Sequence, residues 1–183
     1  MSSKPLGLVV CMVAILAWPS IAGAQDDYAR TGLYLGVGLG LGFENFQGTG
    51  GLDIDTGIGV NAWGGYRFHP NVAAELQLEY LDRFDAGQLK GNALTFTGNL
   101  KGYAMTGQIQ PFALVGIGVT RGEVEAFGGS VSETGFSSRF GGGVDLYISE
   151  SVSVGATASY VLTTGDIDGF DYVSLVFGVQ YRF

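Results

Sequence analysis

The residues best placed to do chemistry are charges interleaved with apolar side chains at a spacing of two. Asp55, Glu75, Glu79 and Asp145 stand against Arg67, Arg83, Lys101, Arg139 and Arg182. A near-balanced set of this kind performs ion pairing in an enclosure, because an enclosed charge is costly unless paired and hydrogen-bonded. Two readings stay open: an internal salt-bridge plug that fills space and fixes strand register, and a switchable gate for small ions. A tight turn around Gln88 would set Glu75 opposite Lys101 and bring Arg67 near Glu75.

Catalytic chemistry finds little support. A general base needs an imidazole within hydrogen-bond reach of its nucleophile or water, and the sole histidine, His69, precedes Pro70 in a turn. Glu75 and Glu79 could exchange protons, but the sequence offers them no substrate cleft. Asp166-Ile167-Asp168-Gly169-Phe170-Asp171 approaches a calcium loop, yet its glycine follows the second acid and the bidentate glutamate is missing. Turn chemistry explains it better, though carboxylates bridging divalent ions to lipid phosphates remain a weaker alternative. Gly36, Gly38 and Gly40 give G-x-G spacings inside a strand with no helix after it, so they cradle no phosphate and instead permit curvature or close approach. No catalytic residue, metal or cofactor is expected.

The elements that hold these charges follow from composition and period. The 183 residues carry a formal charge of −8, which disfavours nucleic acid. Only 14% are charged and 46% hydrophobic, which excludes a disordered chain. Residues 1–24 read as a cleaved signal peptide: Lys4, an apolar run from Leu6 to Trp18, and a cleavage site at Ala22-Gly23-Ala24. Cleavage after Ala24 removes Cys11, the only cysteine, and leaves one domain over residues 25–183.

That domain alternates with a period of two in eight runs, which puts the two sets of each run on opposite faces of a strand. Leu33, Leu35, Val37 and Leu39 alternate with Tyr34, Gly36 and Gly38; Ala74, Leu76, Leu78 and Tyr80 with Glu75, Gln77 and Glu79. The run after Pro111 is less regular, with Phe112 and Leu114 on the polar face. Short links at His69–Asn71, Gly107–Gln110 and Ser149–Ser151 alternate with long Gly- and Asp-rich links at Glu44–Asp53, Asp85–Asn92, Gly122–Gly135 and Thr164–Phe170. Volume decides which face is out. Roughly forty mostly bulky apolar side chains exceed what an eight-stranded interior can hold. About ten residues at ~3.3 Å, tilted by ~40°, span the ~25 Å apolar band of a membrane barrel. Aromatics gather at both strand ends, as they do at membrane interfaces.

Gly64-Gly65-Tyr66-Arg67-Phe68 running through His69-Pro70-Asn71 into Val72-Ala73-Ala74-Glu75 resembles the small outer-membrane barrels of the OmpA-domain and OmpX type. Gly142-Gly143-Val144-Asp145-Leu146 and the ending Val179-Gln180-Tyr181-Arg182-Phe183 are similar to the same family. The resemblance implies an eight-stranded antiparallel up-and-down transmembrane β-barrel in the bacterial outer membrane, with both termini periplasmic. It implies lipopolysaccharide and other outer-membrane lipids as surroundings. It also marks Val179, Tyr181 and Phe183 as a signal for the barrel-assembly machinery, and offers the ion gate of OmpA as a precedent. The chain is expected to carry no periplasmic peptidoglycan-binding domain after Phe183. The expected role is structural or surface-interacting, through acidic loops of which Gly122–Gly135 is the longest and the first choice for a host or surface ligand. A narrow channel is the alternative, and a lipid-modifying enzyme a distant one.

Overall fold

A computed structural model describes residues 27–44, 56–86, 89–126, 129–165 and 171–183. Eight strands form one closed antiparallel barrel in sequence order. They are β1 (Gly32–Glu44), β2 (Thr56–His69), β3 (Val72–Ala86), β4 (Leu89–Tyr103), β5 (Ile109–Ala126), β6 (Gly129–Tyr147), β7 (Val152–Gly165) and β8 (Tyr172–Arg182). β8 closes on β1 through pairs from Tyr34↔Arg182 to Glu44↔Tyr172, so the sheet has no open edge along the barrel wall. Closure lets the backbone groups of the wall pair between neighbouring strands, which hydrocarbon demands.

Side-chain alternation converts this closure into two surfaces. Leu39, Val60, Leu76, Leu100, Ile117 and Phe177 face outward with large exposed areas, while Glu79, Arg139 and Arg182 lie inside. The barrel is therefore inverted relative to a water-soluble one: apolar outside, polar within. Phe112 and Leu114, which broke the alternation of the fifth run, are buried with Tyr34, Ala73 and Tyr103 in a small apolar cluster inside the lumen.

Two of the four links expected to be long loops are instead continuing strand. β3 and β4 extend through Asp85–Asn92 to meet at Ala86↔Leu89, and β5 and β6 extend through Gly122–Gly135 to meet at Ala126↔Gly129. Glycine content suggests loop, but Glu123-Val124-Glu125-Ala126 keeps the period of two and stays paired with β6. The other two long links, Glu44–Asp53 and Thr164–Phe170, fall largely outside the described residues.

Candidate functional site

Within the lumen the charges gather at separate levels. Nearer the long-loop rim, β3 brings Glu79 across the barrel to Arg139 of β6. Arg139 Nη2 donates to Glu79 Oε1 at 3.1 Å and Nη1 to Oε2 at 3.4 Å. β8 adds Tyr172 and Ser174, whose hydroxyls donate to the two carboxylate oxygens at 2.7 Å each. Both Glu79 and Arg139 are fully buried, at 0% exposure. A bidentate, doubly supported pair of this kind is what makes an ion pair tolerable in a closed interior. Beyond it, Leu81, Ala93, Val161 and Tyr172 form an apolar cap.

Nearer the short-turn rim the arrangement is looser. Lys101 of β4 lies 3.4 Å from Glu75 of β3 and 3.8 Å from Asp145 of β6. Tyr34 donates to Glu75 at 3.1 Å and Tyr103 to Asp145 at 3.5 Å. The Lys101 ammonium also sits 4.0 Å from the Phe112 ring centroid, a cation–π contact that offsets part of its lost hydration. A cavity of about 20 Å³ adjoins this cluster, lined by Glu75, Lys101, Asp145, Gln77, Gln180 and Trp63 among others, with room for one water. Between the two levels, Gln77 donates to Asn61 at 2.7 Å and accepts from Asn99 at 3.2 Å. Trp63 donates to Gln180 at 3.0 Å. Its indole lies so close over β1 and β8 that a Cβ at Gly36 or Gly178 would stand 2.2 or 2.4 Å from it.

The short-turn mouth is closed by backbone carbonyls and arginines. Arg67 donates to the Pro70 carbonyl and to Gln110 at 2.7 Å, and stacks 4.0 Å from the Tyr103 ring centroid. Gln110 in turn donates to the carbonyls of Tyr28, Thr106 and Gly107. Arg182 donates to Tyr28 at 2.6 Å and to Glu150 at 2.6 Å, both through backbone oxygens. A single 3₁₀ turn, Asp27–Ala29, thus seats across the mouth with Ala29 buried.

Of the residues singled out in the sequence, Glu75, Glu79, Lys101, Arg139, Asp145, Arg67 and Arg182 are buried in the lumen. Asp55 lies outside the described residues, as do Ala22 and Ala24; Arg83 falls at a register shift in β3, and its side chain is likewise outside. Tyr181 and Phe183 are exposed on the apolar face with their rings 5.0 Å apart, and Val179 is exposed beside them. His69 is exposed in the β2–β3 turn, where Nδ1 accepts from the Asn71 amide at 3.2 Å. The Asp166–Phe170 stretch is outside the described residues; Asp171 accepts from the Thr163 amide at 2.9 Å and the Tyr160 hydroxyl at 3.3 Å.

The expected register needs correction. Glu75 pairs with Asn99, and Lys101 with Ala73. β3 and β4 meet at Ala86↔Leu89, one residue off the register that a turn around Gln88 would set, and a bulge between Asp82 and Phe84 shifts it by one more. Lys101 reaches Glu75 diagonally because its long stem spans the offset. Arg67, expected near Glu75, points instead to the mouth, since Gly65 is the residue opposite Glu75. The alternation places Tyr34 on the inner face beside Gly36 and Gly38, but it does not single out Tyr103, Tyr147 or Tyr172. Tyr34, Tyr103, Tyr147 and Tyr172 each stand two residues from an inward-facing residue, and that parity was the signal available.

The arrangement can bind charge to charge and exclude solutes; among the described residues, no group of His, Cys, Asp or Glu could hold a metal. Residues 9–183 match the family model of the outer membrane protein beta-barrel domain. The chain belongs to that family. It is 30% identical over 174 residues to outer membrane protein A of Klebsiella pneumoniae, covering 86% of this chain and 48% of that protein. The chain thus spans about half the length of the curated relatives it matches. Among solved structures, Neisserial surface protein A superposes with a TM-score of 0.70 at 14% identity, covering 82% of this chain and 97% of that one. Ail, the attachment invasion locus protein of Yersinia pestis, gives 0.62 at 17% identity over 84% and 100% of the two chains. Ail has also been crystallised with the heparin analogue sucrose octasulfate. These likenesses establish the small outer-membrane barrel fold.

Proposed function

We propose that this outer-membrane barrel is a sealed membrane anchor that presents an acidic rim of loops and strand extensions for surface contact, with no catalytic role. The observation that carries the reading is the filled lumen: a doubly supported ion pair, a shared lysine and a seated 3₁₀ turn lie one after another along the axis. The short-turn rim, with both chain ends, faces the periplasm, and residues 1–24 direct export before cleavage after Ala24. Val179, Tyr181 and Phe183 engage the barrel-assembly machinery, and lipopolysaccharide surrounds the outer half. On the long-loop side Glu44, Asp53, Asp85, Glu123, Glu125, Glu133, Asp166 and Asp168 outnumber Lys90 and Arg121. That balance favours a cationic partner, unlike the sulfated ligand of the Ail complex. The role is tested by planar-bilayer recording together with whole-cell binding to polylysine and heparin surfaces. The reading requires negligible steady conductance and retention on polylysine; steady conductance, or retention on heparin alone, defeats it.

A narrow ion path is the second reading. It is favoured by Lys101 lying between two carboxylates beside the one-water cavity. It requires discrete openings whose frequency changes in Lys101→Ala.

A further inference from the structure

The lipid-facing wall is not uniformly convex. Across β2, β3 and β4, small residues interrupt the bulky outer rows: Gly64 pairs with Leu76, which pairs with Gly98, and Ala74 stands between Tyr66 and Leu100. The missing side chains leave an open groove of about 650 Å³ over Gly64, Ala74 and Gly98, with Leu76 projecting between the two glycines and Leu100 and Ile117 along one side.

The groove is continuous with the membrane-facing belt, since Leu76, Leu100 and Ile117 are 57%, 51% and 63% exposed. Hydrocarbon is therefore its medium. Its lining includes no cation, and the carboxylate there, Glu75, is committed to Lys101 within the lumen. Recognition is thus of chain rather than of headgroup. The groove also has a leaflet. Leu33 follows the first residue of β1, Ala74 lies two residues into β3, and Tyr66 three residues from the end of β2. At ~3.3 Å per residue these positions fall within about 10 Å of the short-turn rim. Tyr66 supplies an interfacial ring at that end.

We infer that the groove holds one acyl chain of a phospholipid from the periplasmic leaflet. The chain lies between Leu76 and the Leu100 and Ile117 side chains over Ala74 and Gly98, so it gains dispersion contacts that a chain on a convex wall lacks. This rests on the proposed orientation, in which the short-turn rim is periplasmic.

Filling the groove is sterically permitted. A Cβ at Gly98 would meet Leu76 only at 3.8 Å, an ordinary contact. The test is native mass spectrometry of the barrel released from micelles containing phosphatidylethanolamine, phosphatidylglycerol and lipid A. The expected result is one retained phospholipid after the other lipids are stripped, with either headgroup accepted. Gly98→Leu and Ala74→Leu should each lower that retained fraction by about tenfold. Ala156→Leu, outward on β7 between Val144 and Phe177, should leave it unchanged. Heat-modified gel mobility shows that each variant is folded, and Ala74→Leu serves if Gly98→Leu is not. No retained lipid, equal retention in every variant, or a protein dimer in place of lipid would overturn the site. Groove-dependent retention of lipid A would overturn the leaflet and with it the phospholipid, while leaving the conductance test of the sealed lumen untouched.

Discussion

Two halves of one lumen handle buried charge differently. At the Arg139 level each carboxylate oxygen of Glu79 has both an arginine and a hydroxyl donor, and neither partner is exposed. At the Lys101 level one ammonium serves two carboxylates at longer range, beside a cavity that admits a water. The planar fork of arginine suits a rigid bidentate pair, whereas the lysine point charge suits a shared and adjustable one. The upper level works as a bolt, and the lower as a hinge of polar contacts.

Breaking the bolt should produce the largest effect. Arg139→Ala leaves the fully buried Glu79 carboxylate with two hydroxyl donors and no counter-charge, and should cost about 3–5 kcal/mol. Urea unfolding in lipid vesicles reads this, and replacing Glu79 and Arg139 together by Leu and Met should restore most of the loss. Lys101→Ala should cost less, about 2–3 kcal/mol, because its ion pairs are longer and the adjoining cavity lets water reach the two carboxylates. A loss at Lys101 equal to that at Arg139 would erase the distinction between the levels. Arg182→Ala should cost about 1–2 kcal/mol, since its carbonyl partners lie at the rim where water substitutes. Faster proteolysis at Asp27–Arg30 is the accompanying readout. Tyr34→Phe removes one hydroxyl donor from the hinge and should cost about 1 kcal/mol by the same unfolding measurement.

The contrast between the halves also measures what the residues disclosed before any coordinates. Closure, strand order and the outward apolar face follow from a period of two repeated along the chain, because hydrocarbon leaves the backbone no other solution. Parity alone placed Glu79 and Arg139 on the polar face. Partnership is harder, since it depends on register, and register turns on the bulge at Asp82/Phe84 and the closing pair Ala86↔Leu89. A shift by an even number of residues keeps every face and changes every neighbour. Lys101 still meets Glu75 because its stem is long, while Arg67 ends among the carbonyls of the mouth. The inward tyrosines were obscured because an aromatic ring counts as apolar in a periodicity reading, although its hydroxyl is what completes the lumen network. Likewise Gly122–Gly135 looked like a loop by composition but continues as paired strand.

The orientation of side chains at the membrane is tested most directly by tryptophan fluorescence in vesicles of phospholipids brominated along the acyl chain, in a Trp18→Phe background. Leu76→Trp and Leu78→Trp, each combined with Trp63→Phe, should be strongly quenched, because Leu76 and Leu78 face outward. Native Trp63, which donates to Gln180 inside the barrel, should keep its emission. Quenching of Trp63 with the two outward tryptophans unaffected would contradict the account.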